Sequence, residues 1–594
     1  MTGRARLLGH PRIEGGEQPR GQKSWAVLAR IALGDRPLTR AELAAELFGE
    51  ADDPLGALRW CLADLRRALD DSSLLRGDPL RLAPDDVEVD VWNLLDGTLP
   101  APAVGGTLLD GVDVRNCPSF EVWLLLARGR CAARSMEELH GAALESLTAG
   151  DPESAVDPAG RAAALDPLDE SAQELFLRTL VAAGHAARAS VHLSLCEATF
   201  AREGLVPSAA LRAAARPPLA APRAGVRAGV VAASLLRAGT AALDAGSVDA
   251  GVETLRRAAE EAERAGDRRM YADVMRTLGS ALVHSVRGYD GEGAIVLHQA
   301  IAVARDAGRP ALTADILREL AFVDIQAGRH SSAERALAEA GAIADAEGDP
   351  GLTAGVLALR GMNQADLGRH EQAIPLLDQS IAAATDAGRA RQVAWSSGVQ
   401  ARSLMLSGRV EDAVAATALS IEICTRERWN AFLPWPQAIQ AHCRASTGDW
   451  TGAHDQAEHA FALACELGDP CWEGMAGRAL ALAAMQAGDA DMAEEWIVDA
   501  RRRSDRLPDR YVWVSAFVGL AHLEIAARQR PELVLPLAAR LYRDAVRTDL
   551  PEFIVWALIY QAEAGDKASA RLALPLATDL TNPDLHARLA ALTG

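Results

Sequence analysis

Lysine is almost missing from this 594-residue chain: Lys23 and Lys567 are its only two, and the remaining positive side-chain charge is arginine. Neither "GQKSW" nor "GDKAS" can serve a G-x-x-x-x-G-K-[ST] loop, so nucleotide hydrolysis of the P-loop kind is excluded. No stretch of about 18 uncharged apolar residues occurs, which argues against a membrane span and a membrane partner. "MTGRARLLGH" lacks an apolar h-region, so no signal peptide is expected and the cytoplasm is the expected location. None of the eight cysteines forms a C-x-x-C pair, which points to reduced thiols rather than a disulfide frame or a zinc ribbon. In "HDQAEH", His454 and His459 are five apart and fall on different faces of a helix, so no metal site is read there. "GYDGEG" (288–293) has the wrong spacing for phosphate, and no G-x-S-x-G elbow or paired-carboxylate site stands out. The expectation is a protein that is not an enzyme and holds no cofactor or metal.

Aromatics are also scarce, at 4%, while alanine and leucine dominate. That bias favours helices, because these side chains lose little freedom in them. The formal net charge of −20 argues against blanket nucleic-acid binding, though a local site is compatible with it. The length is too great for a single core.

What the chain does have is a period. Glycine falls at 288, 328, 368, 408, 448 and 488, each 40 residues after the last, and again midway at 308, 348, 388 and 468. Arg428 occupies the missing beat, and Ala333, Ala373, Ala413, Ala453 and Ala493 keep the same step. Glycine suits a helix C′ position, small alanine lets helices approach, and one helical hairpin cannot bury its apolar face alone. The pattern resembles tetratricopeptide-like repeats in a form of about 40 residues. It predicts an α-solenoid over 226–594, with an offset first copy marked by Gly246 and Gly266. His330 and His370 also recur at 40, as repeat architecture rather than ligation.

Two Pro/Gly/Ala-rich stretches, "TLPAPAVGG" (98–106) and "ARPPLAAPRAG" (215–225), read as linkers. They divide the chain into 1–97, 98–220 and 226–594. In the first part, "RARLLGHPRIEG" reads as a short strand or hairpin and "KSWAVLARIALG" as a helix. "LTRAELAAELFG" opens with Thr39 and carries Glu42 three residues on, the pattern of a capping box. "LGALRWCLADLRRALDD" (55–71) has Leu58, Leu62, Leu65 and Leu69 on one face. "SLLRGDPLRLAPDDVEVDVW" follows, two apolar runs about Gly77-Asp78 shaped like a hairpin wing. Three helices and a hairpin make the order of a winged helix-turn-helix, so the expected fold is mainly α with small β elements at the N-terminus, an all-α middle domain and a C-terminal solenoid.

The motifs "FEVWLLLARGR" (120–130), "AALDPLDESAQELFLRTLVAAGHAARA" (163–189) and "EGLVPSAAL" (203–211) carry a further resemblance. With the winged-helix order they make 1–216 similar to the SARP (antibiotic regulatory protein) group of bacterial regulators, which join an OmpR-like winged helix to a bacterial transcriptional activator domain. The resemblance implies a transcriptional activator that binds double-stranded promoter DNA, contacts RNA polymerase and can pair as a homodimer.

On that reading the helix over 55–71 enters a major groove. Arg59, Ala63 and Arg66 form one outward row, and Trp60, Asp64 and Arg67 the next; Arg36, Arg40, Arg76 and Arg81 could add phosphate contacts. The alternative is a water-facing helix with Arg66–Asp70 and Arg67–Asp71 ion pairs, in a scaffold or adaptor that does not bind DNA. In the solenoid, Trp395, Trp435, Trp472, Trp513 and Trp556 fall early in first helices, where they could line a concave face and bind a protein or small ligand; otherwise they pack between helices.

Overall fold

The computed structural model describes residues 3–34, 37–71, 74–82, 87–114, 117–215, 228–244, 247–285, 288–507 and 510–593. The chain divides into two compact units, residues 1–142 with 568–575, and residues 143–567 with 576–594.

The first unit opens with β1 (Gly3–Arg6) and β2 (Arg12–Glu14), an antiparallel hairpin with Arg4 opposite Glu14. Three helices follow: α1 (Gln22–Ala32), α2 (Arg40–Phe48) and α3 (Pro54–Ala68). Thr39 and Glu42 form the expected capping box, each satisfying an orphan donor at the start of α2. Leu58, Leu62, Leu65 and Leu69 are all buried, as their helical spacing requires. β3 (Val87–Val89) lies parallel to β1, giving the sheet order β2-β1-β3, and leads into α4 (Asp90–Leu95).

The expected wing is built differently. Among the described residues no strand pairs across Gly77-Asp78; Leu80 bridges to Leu38 ahead of α2, and β3 goes to β1 instead. Pro79 has no amide to give a ladder at that turn, and Asp78 Oδ1 accepts from the Arg40 amide at 2.8 Å. Residues 72–73 and 83–86 of that stretch lie outside the described residues, as does the 215–225 linker beyond Ala215. The 98–106 stretch is no free linker: Leu99 and Val104 are buried, and Leu108 just beyond it bridges to Leu8. The division between units falls instead within the long α5 (Pro118–Thr148).

The second unit is all helix. After α5 come α6 (Pro152–Leu165), α7 (Glu170–Ala182), α8 (Ala186–Arg202) and α9 (Ala209–Ala214). The repeats begin with α10 (Ala228–Asp244) and α11 (Val248–Ala265), then α12 (Arg268–His284) and α13 (Asp290–Asp306). Regular hairpins follow: α14 (Pro310–Gln326) with α15 (His330–Glu347), α16 (Pro350–Asp366) with α17 (His370–Asp386), and α18 (Ala390–Leu406) with α19 (Val410–Arg426). α20 (Pro434–Ser446) pairs with α21 (Trp450–Leu467), α22 (Pro470–Ala487) with α23 (Ala490–Ser504), and α24 (Val512–Gln529) with α25 (Val534–Arg547). α26 (Pro551–Glu563) and α28 (Pro583–Thr593) close this unit, while α27 (Lys567–Leu576), between them in sequence, falls almost wholly in the first. Successive first helices, α14 through α24, also pack on one another, so they make the inner layer of a tetratricopeptide-like solenoid. Segment 143–215 joins this unit through ion pairs from Arg178 to Glu292 (3.2 Å) and from Arg547 to Asp166 (2.7 Å).

The forty-residue beat has its physical cause in the turns. The beat glycines adopt positive φ, for example 63° at Gly308, 74° at Gly368 and 89° at Gly448, while Gly246 lies outside the described residues. The alanines at 333, 373, 413, 453 and 493 are buried at the helix contacts. Arg428, at the missing beat, holds φ 49° all the same. A side chain there costs about 1 kcal/mol relative to glycine. Arg428→Gly should therefore stabilise the solenoid by about that much, read as a higher urea midpoint at unchanged slope.

The solenoid also folds back on itself. His370 at the start of α17 meets Glu552 of α26 at 3.0 Å, Asn582 donates to the other Glu552 oxygen at 2.6 Å, and the Thr581 amide donates to the Gly368 carbonyl at 3.2 Å. His330 pairs its Nδ1 with Asn363 at 2.8 Å. Both recurrent histidines are buried polar anchors of the repeats. Among the described residues no helix is long and apolar enough to cross a membrane, and no group of three or more acidic, His or Cys side chains could hold a metal.

Candidate functional site

Two regions carry candidate functional side chains, one in each unit. On α3 the buried leucines turn Leu55, Arg59, Trp60, Ala63 and Arg67 outward. The Arg59 side chain is 67% exposed, with one ion pair to Asp53, the N-cap of α3, at 3.2 Å. Trp60 is 54% exposed and covers Gly21, where even a Cβ would come within 3.2 Å of the indole. Arg67 pairs with Glu17 at 3.0 Å and with Asp64.

The remaining residues sort differently from the sequence expectation. Asp64 is not in the outward row: it is buried and accepts from the Arg20 amide (2.8 Å), the Ser24 hydroxyl (2.9 Å) and Arg67. It sits at the edge of the leucine stripe, and those donors, brought from before and within α1, satisfy its charge. Arg66 is a brace, donating to the Leu74 and Leu75 carbonyls at 2.7 and 2.6 Å. Arg40 does the same for Gly77 (2.8 Å) and Leu75 (3.3 Å). Both hold the turn after α3 in place of the expected phosphate contacts or the Arg66–Asp70 ion pair. Arg76 and Arg81 are exposed on that turn, and Arg36 lies outside the described residues.

The second region is a cavity of about 410 Å³ in the inner layer of the solenoid. Its aromatic walls are Phe322, Trp395, Trp429, Phe432, Trp435 and Trp472. Trp429 stacks on Phe432 with centroids 5.0 Å apart, and Trp435 tilts against Trp472 at 5.3 Å. Four arginines also line it: Arg318, Arg391, Arg402 and Arg510. The residues connecting α19 to α20 supply Trp429 and Phe432 because the repeat is irregular there, with α20 starting at Pro434 rather than four residues earlier.

The five expected tryptophans thus separate. Trp395 and Trp472 are half-buried on the cavity wall, and Trp435 lines it from a buried position, donating to the Gly398 carbonyl at 2.9 Å. Trp513 and Trp556 do not line it: Trp513 is fully buried under the Arg402 guanidinium, 4.1 Å from its ring centroid, and Trp556 packs beneath Arg588. Sequence reasoning missed Trp429 and all four arginines. The 40-residue offset between Trp395 and Trp435 was the available signal, and Arg402 is 109 residues from its nearest phenol.

Arg402 forms the floor. It is fully buried and donates to Asp366 Oδ1 at 2.7 Å and to the Tyr511 hydroxyl at 2.8 Å, and Tyr511 in turn donates to Asp366 at 2.8 Å. Burial acts against the guanidinium charge, but Tyr511 and Asp366 outweigh it and hold Arg402 above its ordinary value. Burial drives the Tyr511 phenol well up, so it stays protonated and keeps donating. Arg318 is neutralised by Asp315 at 3.0 Å and by Glu319.

Elsewhere in the solenoid, on α20, His442 is half-buried with Nδ1 facing Arg478 at 3.2 Å. Burial first, and the Arg478 charge second, pull its pKa down to about 3. The unfolded chain binds a proton there near pH 6.5, while the folded chain does not. Stability contributed by neutral His442 is therefore full above pH 6.5 and falls as pH drops toward 3. The expected loss is about 1–2 kcal/mol between pH 7 and 5, and His442→Gln should remove that part of the slope in paired urea titrations.

No family model matches the chain, and no curated protein matches it. Among solved structures, it is similar to a Rap protein complexed with Competence and Sporulation Factor, at 12% identity over 61% of this chain and 99% of that one, with a TM-score of 0.43. It is similar to the signal-transduction ATPase PH0952 from Pyrococcus horikoshii, which has a tetratricopeptide repeat sensor, at 13% identity over 58% and 54%, with a TM-score of 0.37. A third is yeast Tom70, at 13% identity over 77% and 94%, with a TM-score of 0.31.

Proposed function

We propose that this chain is a sequence-specific DNA-binding transcriptional regulator of the activator kind, working in the cytoplasm, whose solenoid receives the signal. The observation that carries this reading is the single outward face of α3 bearing Arg59, Trp60 and Arg67 above a fully buried leucine stripe. Arginines on one helix face can pair with guanine edges or grip phosphates, and Arg76 and Arg81 on the adjoining turn would extend that grip. Burial of Asp64 takes a repulsive carboxylate off that face. The resemblance to SARP regulators implies promoter DNA as the target, RNA polymerase as a contact and a homodimer as the working form. On this reading the chain performs no catalysis and needs no cofactor.

A second reading is favoured by the ion pairs Arg59–Asp53 and Arg67–Glu17, which give each outward arginine an acid of its own. The N-terminal unit would then be an interaction module in a repeat scaffold. A mobility-shift assay on the DNA upstream of the gene, across a salt series, separates the two. Specific binding that weakens linearly in log affinity against log salt supports the regulator; no shift beyond that of unrelated DNA supports the scaffold.

A further inference from the structure

The cavity's charges and donors do not balance, and the imbalance points to what fills it. Arg318 and Arg402 each hold a carboxylate within 3.0 Å. Arg391 and Arg510 do not. Arg391 lies over Trp429, 5.7 Å from the ring centroid, and its one hydrogen bond goes to the Glu427 carbonyl at 3.5 Å. Arg510 has a buried Nε with no hydrogen-bond partner among the described residues, where its ion pair is to Asp505 at 3.9 Å. Asp505 is already engaged by Arg501 at 2.8 Å and Arg540 at 2.9 Å. A buried, unpartnered guanidinium N–H costs free energy until an acceptor arrives.

The acceptors on the wall are mostly spent. Asp469 caps α22, taking the Cys471 and Trp472 amides at 3.0 and 3.3 Å. Asp290 occupies the first turn of α13, where the helix dipole favours it. The indole N–H groups of Trp395 and Trp429, in contrast, donate to no acceptor among the described residues. The cavity therefore offers spare cations and spare donors between flat aromatic walls. Its volume lies within the roughly 300–1,000 Å³ of pockets that take drug-sized ligands.

We propose that the solenoid cavity binds a small planar aromatic acid, its rings held between Trp395 and the Trp429–Phe432 stack and its anionic group taken by Arg391 and Arg510. This rests on the reading of the solenoid as the signal-receiving part of the regulator and names the chemical class of the signal. A peptide or protein segment is disfavoured by the cavity's volume of about 410 Å³, which suits a small ligand.

The test uses the full chain with 1-pyrenebutyrate and its neutral amide as probes, read by quenching of tryptophan emission and sensitised pyrene emission. The acid should bind with one-to-one stoichiometry and at least tenfold more tightly than the amide. Arg391→Met with Arg510→Met should erase that preference while leaving amide affinity unchanged, which also shows that the variant is folded. Trp395→Leu should weaken both probes about tenfold. Equal affinity for acid and amide, a preference that survives the double arginine variant, or no saturable binding of either probe overturns the proposal. Saturable acid binding with no effect on a DNA mobility shift leaves the ligand assignment standing and counts against the regulator; a DNA shift without acid binding does the reverse.

Discussion

Asp366→Asn should lower the stability of the solenoid by about 3–5 kcal/mol, because it leaves the Arg402 charge buried with no counter-ion. Asp366, Arg402 and Tyr511 come from α16, α18 and the start of α24, so one carboxylate ties three inner helices whose residues are up to 145 positions apart. All three side chains are out of water, and two aromatic rings, Trp513 and Trp435, cover the guanidinium at 4.1 and 5.7 Å. Water cannot replace the lost oxygen. Urea denaturation followed by tryptophan emission measures the effect directly. The triple replacement Asp366→Leu, Arg402→Met, Tyr511→Phe should recover most of the loss, since apolar side chains of similar volume substitute for buried ion pairs at little net cost. A single variant as stable as the parent would show that the cluster is hydrated and not a clamp.

Arg59→Ala with Arg67→Ala should weaken specific DNA binding by at least about 30-fold, taking roughly 1 kcal/mol, the low end for a base-edge contact, for each arginine. If the two arginines grip phosphates instead, the loss will be similar on every sequence and the salt slope will fall by about 2. Arg66→Ala is the informative control. Its guanidinium is spent on the Leu74 and Leu75 carbonyls, so it should loosen the turn after α3 and lower the melting temperature of the first unit more than it alters contacts to DNA. Unchanged DNA affinity in the Arg59/Arg67 variant would sink the recognition-helix reading and leave the scaffold.

How far these features were legible depended on whether they are local. The forty-residue beat was readable because each glycine answers to its own turn: a helix C′ position needs positive φ whatever surrounds it, which Arg428 shows by adopting that conformation without being glycine. The Thr39–Glu42 capping box was readable for the same reason, being closed within four residues. Asp64 was misplaced because its environment comes from Arg20 and Ser24, 44 and 40 residues upstream, and nothing in the α3 periodicity announces them. Among the described residues the hairpin expected about Gly77-Asp78 gives way to the Leu38–Leu80 bridge and the β1–β3 pairing, neither of which the turn residues announce. The cavity lay furthest from sight. Its arginines are individually ordinary on a helix, and only stacking of successive repeats shows that Arg318 and Arg402 hold carboxylates within 3.0 Å, while Arg510 has one at 3.9 Å and Arg391 rests on Trp429.

Repeat arrays ordinarily fray from their termini, because the last unit has a neighbour on one side alone. Here the end of the array is tethered to its middle: Glu552 holds His370 and Asn582, and Thr581 reaches the Gly368 turn. Peeling Thr581 and α26 away would strip hydrogen bonds from a repeat some two hundred residues earlier. This end of the array is not free to unzip, and the central and C-terminal repeats should lose amide-exchange protection together.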